Sequence, residues 1–211
     1  MLKKQVKVDQ SILRERDYHR KIWEVGQHLL ENGVTGADFD YVMQGGESVN
    51  YTAKKAQQQW CAEAMRRMEE RLGREKTKEI RESSACCLSG ARGDAAKQIF
   101  EQNDTVDARF AALQKARVIV GGKAWKTEDG AYRVNFWGDC PRPEKGYTCG
   151  CLKYVPKDKP MEGTWCECCG GHIKHHVQTA LGIPLHCALV ASPLTSCGEK
   201  SCEFELTPVQ E

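Results

Sequence analysis

The residues of this 211-residue chain best suited to chemistry are its twelve cysteines, Cys61, Cys86, Cys87, Cys140, Cys149, Cys151, Cys166, Cys168, Cys169, Cys187, Cys197 and Cys202. So many thiols persist either where an oxidising compartment pairs them or where a reducing one leaves them for metal or redox work. Residues 1–7 carry positive charge with no apolar segment behind them, so no export signal is expected. The expectation is a cytoplasmic protein with free thiols. A chain of this length has core enough not to depend on disulfides. Metal binding or a reactive thiol is therefore expected ahead of a disulfide framework.

Spacing narrows the choice. Cys149-Gly150-Cys151 falls in residues 148–155, which read as a strand, and alternate strand residues share a face. Fourteen residues intervene before Cys166-Glu167-Cys168-Cys169, at the start of an expected helix over 166–181. At about 100° per residue, Cys166, Cys169, Ile173, Val177 and Ala180 form one face, expected toward the sheet, while Cys168, His172 and His175 turn away. The simplest four-sulfur site is then Cys149, Cys151, Cys166 and Cys169, with zinc as the expected metal and an iron–sulfur cluster as the alternative. A helix N-terminus lowers thiol pKa and favours the thiolate that such a site needs.

Cys168, His172 and His176 are further candidates, as ligands or as acid–base groups, since Cys169, His172 and His176 recur at i, i+3 and i+7. Cys166 or Cys168 could instead act as a nucleophile with His172 as base. The plain alternative for several of these cysteines is packing as small apolar side chains, and Cys61, on an apolar helical face, is read that way. Adjacent Cys86 and Cys87 are expected to diverge, leaving at most one to reach the cysteine-rich half. Asp139-Cys140-Pro141 reads as a turn. Phosphate-loop, dinucleotide, zincin and serine-hydrolase signatures are absent from the sequence.

The elements that must position these groups are legible from periodicity. Tyr18, Ile22, Val25 and Leu29 make one helical stripe, stopped by Asn32-Gly33, and Trp60/Cys61, Ala64/Met65, Met68 and Leu72 make a second. A polar stretch, 33–50, joins them. A short helix over 94–102 and another capped by Asp104 or Thr105 follow. After Gly121-Gly122 the period changes: Tyr132, Val134 and Phe136 alternate with polar residues behind the turn Glu128-Asp129-Gly130. Residues 185–190 and 202–206 read as strands, and Gly182 with Pro184 stops the intervening helix. The fold class expected is α+β, a helical N-terminal region over 1–104 followed by a cysteine-rich α+β domain over 105–211 with an antiparallel sheet.

Composition trims the functional classes. Thirty-one Lys and Arg against 29 Asp and Glu give a net charge of +2, which offers no electrostatic reason to bind nucleic acid or an anionic membrane. No apolar run is long enough to span a bilayer.

Trp165-Cys166-Glu167-Cys168-Cys169-Gly170-Gly171-His172 opens a helix that ends Leu181-Gly182-Ile183-Pro184, and a strand and the segment Cys197-Gly198-Glu199-Lys200-Ser201-Cys202-Glu203-Phe204 follow. This order resembles the vinyl-reductase-type small-molecule-binding domain and the related bacterial 2-amino-thiazoline-4-carboxylate hydrolase family, over residues 105–206. The resemblance implies an α+β fold around an apolar ligand pocket. It also implies a structural zinc on Cys169 (or Cys166), Cys197 and Cys202, although Cys197 and Cys202 stand closer than that pattern has them. Trp125, Phe136, Trp137, Trp165 and Phe204 are the expected pocket walls. The functional expectation is a small-molecule-binding protein with a thiolate zinc site, alternatively a thiol- or metal-dependent hydrolase of a small heterocycle or a reductase. The partners expected are a small-molecule ligand and, as an option, a second copy of the chain.

Overall fold

The computed structural model describes residues 11–16, 18–50, 52–136 and 146–209. Helices come first: α1 (Ser11–Arg14), α2 (Arg20–Glu31), α3 (Gly36–Met43), α4 (Lys54–Leu72), α5 (Arg74–Ser83), α6 (Ala91–Gln102), α7 (Val106–Lys115) and α8 (Arg117–Val120). Strands β1 (Ala124–Lys126) and β2 (Tyr132–Asn135) follow. A 3₁₀ turn (Gly163–Cys166) then runs into α9 (Glu167–Leu181), and β3 (Leu185–Ala191) and β4 (Glu203–Pro208) close the chain. The sheet is antiparallel throughout, in the order β1-β2-β4-β3. The protein is α+β, as its sequence pattern requires.

Local chemistry explains the helix limits. In α2, Ile22, Val25 and Leu29 are buried along one stripe, and the chain leaves through Gly33 at φ 78°. Thr105 caps α7 by accepting the Ala108 N–H at 3.2 Å. Gly182 stops α9 in the left-handed conformation, φ 73°, with its N–H bonded to the Gln178 carbonyl.

Three expectations are corrected. Residues 148–155 are not a strand: Gly150 lies in a turn, Lys153 takes φ 58°, and its N–H bonds back to the Cys149 carbonyl at 3.0 Å. Residues 33–50 are not simply a connection, since they contain α3, which buries Phe39, Val42 and Met43. Strand β1, three residues long, was not expected at all.

The packing also divides elsewhere than at residue 104. One apolar cluster joins α2 to α5 with Cys149, Leu152, Met161, Trp165 and Leu194. The other joins α6 to α8 with the sheet and with Ile173, Val177 and Ala180 of α9. The chain thus returns to its first half to complete each core. Gly171 is what lets α9 lie so close to α5: a Cβ there would stand 2.2 Å from the Glu82 carbonyl oxygen. Lys174 bonds the Glu82 carboxylate at 2.8 Å across the same contact. No helix among the described residues is long and apolar enough to cross a membrane.

Candidate functional site

Two cavities meet at the start of α9. The first is an open pocket of about 410 Å³. It is bordered by the first turns of α2, α4, α6 and α9, by the 150–153 turn, and by Cys86-Cys87 between α5 and α6. Such a volume suits a metabolite-sized molecule. The second is enclosed and holds only about 10 Å³, near the smallest space that accepts one water-sized body. Cys149, Cys151, Cys166, Cys169 and Cys202 all border it, with Trp165 and Phe204. Cys151 and Cys169 face both spaces.

These five cysteines are the ones that spacing and the family resemblance single out as ligands. Among the described residues, no group of three or more Cys, His, Asp or Glu side chains stands so that it could hold a metal ion as placed. The five sulfurs border the cavity without closing on one point. Cys197, the further cysteine implied by the resemblance, does not border it.

The thiols are not equivalent. Cys149, Cys151, Cys169 and Cys168 form a chain of side-chain partners. Cys151 is held far below an ordinary thiol because Cys149 and Cys169 donate to it and the charges of Lys21 and Arg81 favour its thiolate. Cys149 and Cys169 are correspondingly raised, as donors to Cys151 and through burial. Cys168 is lowered to about 7, chiefly by its bond from Cys169, with help from Arg81. Cys166 donates to the Ser192 hydroxyl at 3.3 Å, and burial pushes its thiol up to about 12. Burial does the same to Cys202. Cys168 lies inside α9 and keeps its helical phase: with His172 it turns toward the open pocket, away from the face of Ile173 and Val177, and it meets the sulfur chain through its neighbour Cys169.

The buried counter-charge is Arg81, on α5. It is 4% exposed, donates to the Trp165 carbonyl at 3.1 Å, and lies 4.4 Å from the centre of the Trp165 ring, while its Nε has no hydrogen-bond partner. Sequence reasoning missed it, because an arginine in the charged run Arg74 to Glu82 looks like solvated helix surface. Its one signal was the helical spacing from buried Thr77, four residues earlier.

The histidines turn out to be tethers. His172 Nδ1–H donates to the Cys86 carbonyl at 2.5 Å, leaving Nε2 to face Arg92 at 3.5 Å. His176 Nε2–H donates to the Cys87 carbonyl at 3.1 Å, and its buried Nδ1 has no partner. Burial lowers both imidazoles, His176 to about 4. Among the described residues neither histidine has a hydrogen bond to a sulfur; His172 shares the open pocket with Cys168, four residues earlier on α9. Cys86 and Cys87 themselves do not diverge. Both line the open pocket, their side chains interact, and Cys87 takes φ 60°. Cys61 is fully buried, as its apolar stripe requires.

Of the expected aromatic walls, Phe136 lines the open pocket while Trp165 and Phe204 back the small cavity. Trp125 is 37% exposed on the sheet edge. Trp137 and Cys140 lie outside the described residues.

Comparisons with known proteins add a family and no activity. No curated protein and no solved structure matches the chain. A family profile matches residues 35–211, which include α3 to β4 and every cysteine named above. The chain belongs to this family of unknown function, DUF6144.

Proposed function

We propose that the protein binds a small molecule in the open pocket and carries a thiolate zinc centre in the cavity behind it. The observation that carries this reading is the ring of five cysteines around a cavity of atomic size, two of them shared with the pocket. The donors suit the ion. Zinc takes four soft ligands, and Cys149, Cys151, Cys166, Cys169 and Cys202 offer one more than that. A cavity of about 10 Å³ favours a single ion over an iron–sulfur cluster, which needs room for several atoms. Bound there, zinc would draw off the protons that burial otherwise keeps on Cys166 and Cys202, and would tie the 149–151 turn to α9 and β4. The eleven described cysteines are all free thiols, which suits a reducing, cytoplasmic location.

The resemblance places a pocket within residues 105–206, whereas α2, α4 and α6 supply much of the lining here. The helical half is then part of the binding site. Metal analysis of protein purified without added zinc tests the proposal. About one equivalent is expected, falling in Cys169→Ser. A content far below one, with Cys149, Cys166 and Cys202 freely titrating, would overturn it.

A second reading rests on Cys168. It lines the open pocket with its thiol lowered to about 7, so it is the best nucleophile of the set. Its activation would come from Cys169 and Arg81. One thiol alkylating far faster than the rest, at Cys168, would favour an enzyme over a binding protein.

A further inference from the structure

Cys86 and Cys87 have no part in the enclosed cavity. Among the described cysteines these two alone are exposed, and both line the open pocket, which is wide enough to admit a small reactant. Neighbouring side chains of an extended chain point to opposite faces. Here Cys87 takes φ 60° instead, and the Cys86 thiol donates to the Cys87 sulfur. A residue with a Cβ seldom adopts that backbone, and it persists where the surroundings impose it.

The surroundings do impose it. His172 Nδ1–H holds the Cys86 carbonyl at 2.5 Å, and His176 Nε2–H holds the Cys87 carbonyl at 3.1 Å. Just upstream, the Ser84 hydroxyl donates to the Ile80 carbonyl at 2.6 Å. The dipeptide is therefore fixed from α5 and from α9, and joining two sulfurs already in contact requires little further ordering.

We infer that Cys86 and Cys87 are a redox couple, closed to a vicinal disulfide by a low-molecular-weight disulfide that enters the open pocket. One cysteine sulfur attacks the oxidant and breaks its S–S bond, and the first thiolate to leave takes the attacking thiol's proton. The second cysteine sulfur then attacks the mixed disulfide and expels the second thiolate, which takes the remaining proton. Two electrons pass from the pair to the oxidant, which departs as two thiols. Adjacent Cα atoms stand about 3.8 Å apart, short of the roughly 4.4–6.8 Å that most disulfides span. The closed ring is strained and easily reduced, so the couple rests as the dithiol and closes when oxidant accumulates. This couple goes beyond the zinc centre and the pocket's ligand and needs neither.

Exposure of the reduced full chain to glutathione disulfide tests it, followed by an acid quench, alkylation and trypsin. Cleavage after Arg81 and Arg92 releases residues 82–92, in which Cys86 and Cys87 are the only cysteines. That peptide is expected to escape alkylation and to weigh two hydrogens less than its dithiol form, with dithiothreitol restoring the dithiol. The bridged form should exceed the glutathione adduct by about tenfold or more, because the second thiol is already beside the first. Cys86→Ser and Cys87→Ser should each stop at the glutathione adduct. Both positions are exposed, so the variants keep their fold, which their melting temperatures check. A wild-type peptide that remains a dithiol, that stops at the adduct, or that is joined to the peptide carrying Cys168 overturns the inference.

Discussion

The enclosed cavity and the open pocket use the same residue type to opposite ends. Cys166 and Cys202 face the enclosed side, where burial holds them protonated, up to about 12. Cys168 faces the open side, where a donating thiol and nearby Arg81 bring it down to about 7. Sulfur chemistry is therefore set by what surrounds each thiol, and two cavities one side chain apart differ more than two cysteines in unrelated proteins need to. The open side is also held differently. Its Cys86-Cys87 edge hangs from two histidines on α9, while the enclosed side is tied by the Cys166–Ser192 bond and by Arg81 on the Trp165 carbonyl.

The strongest way to break that contrast is Gly171→Ala. The added Cβ has no room against the Glu82 carbonyl, so α5 must move off α9 and carry the Cys86-Cys87 segment with it. A loss of about 2–4 kcal/mol is expected, net of the roughly 1 kcal/mol that alanine gains in a helix. Chemical denaturation measures it. A change within about 0.5 kcal/mol would mean that the two helices separate without strain.

A smaller effect comes from acid. His176 sits folded at about 4 against an ordinary 6.5, so its neutral form is favoured in the native state. Its contribution is complete above pH 6.5 and is lost as the pH falls toward 4, amounting to at most about 3 kcal/mol. His172, His175 and Arg92 face it and act in the same direction, and the bond to the Cys87 carbonyl opposes them. Melting curves of wild type and His176→Gln should diverge at pH 7 and converge as the solution is acidified through this window. Parallel curves would remove the histidine from the account.

The finest test sharpens the contrast without disturbing the fold. Under brief alkylation at neutral pH, Cys86 and Cys87, both exposed, and Cys168 should be labelled well before buried Cys166, Cys187 and Cys202, by about tenfold or more. Peptide mass spectrometry reads the order. Equal rates across the set would show that the enclosed side opens as readily as the pocket.

Much of the frame could be read in advance. The stripes through Ile22 and Leu29 and through Ala64 and Met68 are buried, β2 alternates as written, and Gly182 ends α9. Those signals are local, since a helix face or a strand face is fixed by neighbours three or four residues away, or two. The site was only half legible. Cys149, Cys151 and Cys169 meet as side-chain partners although residues 148–155 form a turn and not a strand, because a tight turn also brings alternate residues together. Cys168 turns with His172 away from the sheet side as the helical count requires, but its bond from Cys169 is a contact between adjacent residues that periodicity does not announce. Arg81, the histidine tethers and the α2, α4 and α6 walls depend on contacts between residues some 80 or more positions apart, which periodicity does not encode.

Cys151 and Cys169 are a partition one residue thick between two chambers. Thermodynamic reciprocity then governs the pair: whatever factor an occupant on one side imposes on affinity at the other must be returned in full. A partition this thin makes the two chambers instruments for reading each other.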